Sequence, residues 1–206
     1  DQLVCFTIGA ETRRFAFWAD TGTGKTFLSI ALVRYFKKLL ESALTSTLVL
    51  IPSKINKYEW AREIRKWSPN TSYVVLKGSS EQKWKQIDEA VENGTTLILE
   101  TYGGLVRLAT KPTKGGALKI NATRMKWLKA AVPGIILDES IHVVKKGRSG
   151  SLMYRICKSL ADVSEIAFAL NGTPHGRDPA DMWGQMRIVD RGYTLGETLG
   201  LFRAAF

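Results

Sequence analysis

Residues Ala19-Asp20-Thr21-Gly22-Thr23-Gly24-Lys25-Thr26 set a glycine-rich loop between two apolar stretches of different character. Phe15-Ala16-Phe17-Trp18-Ala19 has the length and apolarity of a buried strand, and residues 27–36 continue as a helix. Strand, glycine loop and helix in that order form the context in which backbone N–H groups cradle a phosphate. Gly22 and Gly24 let the backbone curl so that its N–H groups point at one anion. A helix starting near Lys25 turns the positive end of its dipole toward the same anion. In such a loop Lys25 reaches the outer phosphates and the Thr26 hydroxyl ligates Mg²⁺, with Thr21 and Thr23 completing the cradle. The pattern G-x-x-x-x-G-K-[ST] begins on glycine, and here Ala19 stands in that place.

At 206 residues the chain has the length of one ordinary domain, and 45% hydrophobic content supports a substantial core. No apolar stretch approaches the length of a membrane span. Cys5 and Cys157 are too few for a disulfide framework or a zinc site and read as core residues in a reducing compartment. That compartment is the cytoplasm in a bacterial or phage-like context, or the nucleus of a eukaryote. The net charge of +11 favours a polyanionic partner. From Leu105 to Pro133 there is no acidic residue, while Arg107, Lys111, Lys114, Lys119, Arg124, Lys126 and Lys129 all fall in that stretch. A block of one sign suggests a phosphate-contacting surface, with a solvated loop as the alternative.

Apolar runs of strand length recur at residues 15–19, 47–51, 72–76, 96–100, 135–137 and 165–170. Helical stretches fall at 26–41, 57–67, 80–93, 125–131, 149–162 and 179–189, and residues 110–116 read as a loop. Runs apolar on both faces, alternating with helices, predict an α/β fold with a parallel sheet covered on both sides. Ligands of such sheets sit at the carboxyl ends of the strands. Three loops with useful chemistry are predicted to meet there: the one with Lys25, the pair Asp138-Glu139 after residues 134–137, and Asn171-Gly172-Thr173-Pro174. An acidic pair at the end of a buried strand suits the two tasks that a phosphate loop leaves open. Asp138 would hold Mg²⁺, and Glu139 would orient and polarise the attacking water.

Several of these segments together resemble one family. Asp138-Glu139-Ser140 is similar to the acidic motif II of helicase superfamily 2. Leu170-Asn171-Gly172-Thr173-Pro174 resembles its motif III in the Snf2-like branch, usually L-T-G-T-P. Asp178 to Asp190, with Met182-Trp183 inside it, is similar to the segment that follows. Thr47 to Pro52, then Trp60, Glu63, Ile64 and Trp67, resembles motif Ia, and Glu100-Thr101-Tyr102 resembles the motif Ib region. Gln2, 23 residues before Lys25, matches the glutamine that reads adenine in that family. Ala19 is typical of it as well.

The resemblance spans essentially all 206 residues. It implies the first RecA-like lobe of a Snf2-like ATPase: a P-loop NTPase with a parallel sheet and helices on both faces, forming a single domain over residues 1–206. It implies ATP and Mg²⁺ as cofactors and ATP-dependent movement along duplex DNA, or remodelling of it. Lys25, Asp138 and Glu139 would be catalytic. Gln2 and residues 21–26 would hold the nucleotide, with Thr26 and Asp138 on the metal. Lys54 and Tyr102 at strand ends, together with Lys111, Lys114 and Lys119, would meet nucleic acid, and the run Lys145-Lys146-Gly147-Arg148 is a further candidate. Two departures stand out. Ile141 occupies the place of the motif II histidine, with His142 one position late, and Asn171 replaces the threonine of motif III. The family's second RecA-like lobe, with its arginine finger, has no counterpart here, since Arg191 and Arg203 fit no such motif. Hydrolysis is therefore expected to be weak without that lobe, in cis or in trans. The alternative is a module that binds nucleotide and nucleic acid without turnover.

Overall fold

The computed structural model describes residues 2–144, 151–176 and 178–205. The strands are β1 (Arg14–Trp18), β2 (Thr47–Ile51), β3 (Tyr73–Val75), β4 (Leu97–Thr101), β5 (Thr110–Pro112), β6 (Leu118–Ile120), β7 (Gly134–Leu137) and β8 (Ile166–Asn171). The helices are α1 (Gln2–Thr12), α2 (Lys25–Leu40), α3 (Lys54–Trp67), α4 (Ser80–Glu92), α5 (Tyr102–Ala109), α6 (Ala122–Ala131), α7 (Ile141–Val144), α8 (Leu152–Ala161), α9 (Ala180–Val189) and α10 (Leu199–Ala205).

Every residue of β2, β4, β7 and β8 is buried, which is why these segments read as unbroken apolar runs. They form the middle of a six-stranded sheet of order β1-β8-β7-β2-β4-β3, and each of its pairings is parallel. Alternate residues along each strand feed two separate cores. Val49, Ile51, Leu99, Ile136 and Phe168 pack with α2 and α3, with α1 against them. Leu48, Leu50, Ile98, Ile135 and Leu137 pack with α4 to α10 on the other face. Burying large aliphatic and aromatic side chains contributes roughly 1.5–3 kcal/mol each. Two such layers therefore hold the sheet edge rigid where the loops emerge.

The expected α/β fold is observed, and its boundaries shift by small amounts. Helix α3 starts at Lys54, one turn before the expected residue 57, because Ser53 caps it by accepting from the Asn56 N–H. The stretch read as a loop at 110–116 is largely a hairpin: β5 and β6 pair antiparallel, with Gly116 at φ 79° in the turn. Helices α1, α5, α7 and α10 were not expected. Helix α1 shows no clear apolar repeat, whereas the short α5 carries two glycines and buries Tyr102, Leu105 and Leu108 on one face. The predicted helix 149–162 begins at Leu152 among the described residues.

Two charged groups tie the layers together. Arg14 at the start of β1 donates to the carbonyls of Val189, Ala161 and Ser164, so it caps the carboxyl ends of α9 and α8. Burial pulls its pKa down to about 10. Glu100, fully buried at the end of β4, sits between Lys57 of α3 at 3.1 Å and Lys83 of α4 at 2.5 Å. Lys57 also donates to the Leu76 carbonyl just beyond β3. A buried carboxylate survives only when paired in this way.

The Glu100 carboxylate leaves no room at Gly104. A Cβ built there falls inside the van der Waals envelope of the carboxylate, which the two lysines hold in place. Gly→Ala in a helix ordinarily stabilises by about 1 kcal/mol. Here Gly104→Ala is expected to destabilise by about 1–3 kcal/mol through overpacking. Urea unfolding of the two proteins checks the sign, and a stabilised variant would contradict the packing.

Candidate functional site

The loop between β1 and α2 has the conformation that its glycines allow. Gly22 and Gly24 lie at φ 83° and 85°, a region that L side chains rarely adopt, and α2 begins directly at Lys25. Lys25 Nζ folds back onto the loop and donates to the carbonyls of Ala19 (2.6 Å) and Asp20 (2.9 Å). The Thr23 hydroxyl donates to the Asp20 carbonyl, and Gln2 Nε2 donates to the Thr23 carbonyl at 2.8 Å. Gln2 thus lies over the loop, and a Cβ on Gly24 would collide with its amide.

Opposite the loop stands the turn after β7. The β2–β7 ladder runs one residue past the strand: the Asp138 N–H donates to the Leu50 carbonyl at 2.8 Å. The Asp138 carboxylate accepts from Trp60 Nε1 at 2.8 Å, and its carbonyl accepts from the Tyr102 hydroxyl at 2.8 Å. Burial pushes the Asp138 carboxyl up to about 6, opposed by the Trp60 hydrogen bond and reinforced by the charge of Glu139. Glu139 itself sits at φ 49°, a costly conformation for a residue with a side chain. It is held from both sides. Tyr102 fixes the residue before it, and the Ser140 N–H after it donates to the Leu170 carbonyl of β8 at 3.0 Å.

The third loop joins through one side chain of the segment Asp178 to Asp190 to which the sequence assigned no role. Gln185 of α9 is fully buried, and its Oε1 accepts from the Ser140 hydroxyl (2.6 Å) and from Asn171 Nδ2 (3.0 Å). Its Nε2 donates to the carbonyls of Pro174 (2.5 Å) and Asp181 (3.0 Å). Asn171 in turn accepts the Ala19 N–H at its carbonyl, 3.1 Å away. A chain of hydrogen bonds therefore runs from the phosphate loop to the loop after β8, and on to the acidic turn. No histidine takes part in it: Ile141, at the motif II position, lies half-buried against the core, and His142 is exposed.

Gln2, Thr21, Gly22, Gly24, Lys25, Thr26, Asp138 and Glu139 line one open cleft of about 790 Å³. Residues far apart in the sequence therefore share one site, as the strand-end argument expected. Among the described residues no cluster of three or more His, Cys, Asp or Glu side chains stands ready to hold a metal. The donors present, one carboxylate and a threonine hydroxyl beside a phosphate loop, fit Mg²⁺ that arrives with phosphate oxygens and water. Sequence reasoning missed the roles of Trp60 and Gln185, and it did not place Phe27 and Trp67 on the cleft wall, where they form an edge-to-face pair with centroids 5.6 Å apart.

The expected nucleic-acid contacts lie outside the cleft. Lys54 is exposed at the start of α3, and Lys111, Lys114 and Lys119 are exposed on the β5–β6 hairpin. Tyr102 is a correction. It is only 2% exposed and its hydroxyl is spent on Asp138, so it braces the acidic turn and is withdrawn as a nucleic-acid contact. The run Lys145 to Arg148 lies outside the described residues.

Removing the Gln185 amide strands buried partners. Gln185→Leu leaves the Ser140 hydroxyl, the Asn171 amide and the Pro174 carbonyl without their hydrogen bonds. Each such loss costs about 1–3 kcal/mol. A fall of about 3 kcal/mol or more in unfolding free energy is expected by chemical denaturation, and a loss under about 1 kcal/mol would contradict the network.

Comparison with known proteins agrees with this geometry. The family model for the SNF2-related domain matches residues 13–194. The SWI2/SNF2 ATPase core of Sulfolobus solfataricus, solved in complex with dsDNA, is 26% identical with a TM-score of 0.73, over 100% of this chain and 38% of that one. Putative protein p41 of Acyrthosiphon pisum secondary endosymbiont phage 1 is 26% identical over 202 residues, 93% of this chain and 39% of its own length. The ISWI chromatin-remodeling complex ATPase ISW1 of Saccharomyces cerevisiae is 21% identical over 171 residues, 82% of this chain and 13% of its own. The chain thus spans well under half the length of these relatives and corresponds to one RecA-like lobe. With the phosphate loop, the acidic turn and the strand order all in place, the chain belongs to the SNF2-related domain family, as the first RecA-like lobe of a Snf2-like ATPase.

Proposed function

We propose that this chain binds ATP with Mg²⁺ and forms half of a DNA-dependent ATPase, completed by a second RecA-like lobe in cis or in trans. One observation carries the reading: Lys25 and Thr26 share a cleft with Asp138 and Glu139. The loop N–H groups and the α2 dipole bind the phosphates. Lys25 exchanges its two carbonyl partners for phosphate oxygens, and a charged donor holds these more strongly than it holds neutral carbonyls. Thr26 and Asp138 hold the Mg²⁺, which neutralises charge on the phosphates when bound. Glu139 orients the attacking water. Its strained backbone fixes the direction of its side chain, so positioning is built in before substrate arrives. Gln2 reads the adenine edge, since an amide donates and accepts at once. The second lobe would supply the positive charge that stabilises the transferring phosphoryl group from the far side, where an arginine finger contributes ~10³–10⁵ in rate.

The partner is duplex DNA. The support is the net charge of +11, the exposed lysines of the β5–β6 hairpin, and likeness to an ATPase core solved with dsDNA.

Lys25→Ala is expected to weaken ATP affinity about 10- to 100-fold, the equivalent of a lost charge-assisted contact of about 1.5–3 kcal/mol. Calorimetry on both proteins measures this, and equal affinities would remove Lys25 from the site. Paired with a second lobe, Glu139→Gln should bind ATP nearly as well and turn it over far more slowly.

For DNA the salt dependence is diagnostic. Four phosphate contacts give a slope of about −3.6 in log K against log salt. Neutralising Lys111, Lys114, Lys119 and Lys126, all exposed, should flatten that slope toward zero. An unchanged slope returns the hairpin to the role of a solvated surface.

A further inference from the structure

Trp60 lies in the second turn of α3, faces the cleft, and is 3% exposed. Its position on the helix suits packing, and an aromatic there adds to the core shared with Ile64 and Val49. Packing alone does not explain its geometry. Indole Nε1 is a donor with no acceptor capacity, and it points at Asp138 Oδ2 from 2.8 Å. The two residues meet because β2 and β7 are paired. The ladder places Asp138 beside the end of β2, α3 starts three residues after β2 ends, and its second turn folds back over that point.

Among the described residues, Trp60 is the side chain that donates a hydrogen bond to this carboxylate from outside its own loop. Lys25 is tied to Ala19 and Asp20, and Tyr102 holds the Asp138 backbone carbonyl rather than the side chain. An indole also has few ways to move. Its side chain has two torsions, and it is buried in the core that α2 and α3 share with one face of the sheet. Fixing Oδ2 fixes the plane of the carboxylate, and with it the direction in which the group meets a cation.

We infer that Trp60 is a positioning residue for Asp138, setting how tightly Mg²⁺ is held in the nucleotide complex without itself touching nucleotide or metal. This rests on the reading of the cleft as a site for Mg²⁺ and nucleotide. Partners that orient a metal-binding carboxylate are worth about 10- to 100-fold in metal affinity. A residue that only packs would instead alter nucleotide binding with and without metal to the same degree.

The test is ADP binding by calorimetry, first in EDTA and then across a Mg²⁺ titration, for wild type, Trp60→Phe and Trp60→His. Phenylalanine keeps the ring and loses the donor, whereas histidine restores an N–H. Trp60→Phe is expected to bind metal-free ADP as wild type does, and to need about 10-fold or more Mg²⁺ for half of the metal-dependent gain. Trp60→His should recover part of that shift. An unchanged Mg²⁺ midpoint, or a parallel loss in EDTA, overturns the inference. Absence of ADP binding by the wild type would overturn the reading of the cleft itself. Should Trp60→Phe fail to fold, the wild-type protein still decides. Among the ¹⁵N-indole signals of its six tryptophans, one should move when Mg²⁺ joins the ADP complex and stay in place when ADP binds alone. If no indole signal moves, the inference falls.

Discussion

The pairing of β7 between β2 and β8 is the constraint on which the rest depends. It is a short strand of four residues, all buried, with parallel neighbours on both sides. Because both ladders continue past its end, they hold the next residues too: Asp138 through the Leu50 carbonyl and Ser140 through the Leu170 carbonyl. Glu139 lies between these two anchors in a left-handed backbone conformation that would otherwise relax. The strain persists because each neighbour is bonded to a different strand and neither strand can move within a doubly covered sheet.

From that turn the site extends by side chains of other layers. Trp60 reaches it from the face that carries α3, and Tyr102 and Gln185 reach it from the opposite face. The acidic turn therefore registers the position of both helical layers. Gln185 extends the same connection to Asn171 and onward to the phosphate loop, so the three loops behave as one hydrogen-bonded unit. In this chain an amide on α9 links the loops, while Ile141, at the place of the motif II histidine, is half-buried against the core and offers no hydrogen bond. The arrangement is polar, buried and fully partnered, the condition under which such networks specify a single geometry.

Charge is distributed by the same logic. Buried charge occurs where it is paired, as in Glu100 with Lys57 and Lys83, or where it caps helix ends, as Arg14 does. The remaining positive excess is left on the surface, with Lys111, Lys114 and Lys119 on a hairpin that contributes little to either core. Surface lysines of this kind act over a distance set by salt. They add little to the stability of the fold.

By itself the sequence determined whatever depends on neighbours along the chain. Gly22, Gly24, Lys25 and Thr26 fall within five residues, so backbone geometry alone makes a phosphate loop of them. Runs apolar on both faces required a covered parallel sheet, and Asp138-Glu139 at the end of one such run required an acidic pair at the sheet edge. Tertiary structure decided everything that depends on which strands are adjacent. Trp60 and Asp138 are separated by 78 positions, and Gln185 and Ser140 by 45. Nothing local distinguishes Trp60 from a packing residue, or Tyr102 from an exposed one. The strand order brings Trp60 to a carboxylate and turns Tyr102 inward. A side chain's hydrogen-bond partner is a property of the folded neighbourhood, and the order of strands in a sheet is settled by the packing of the whole chain.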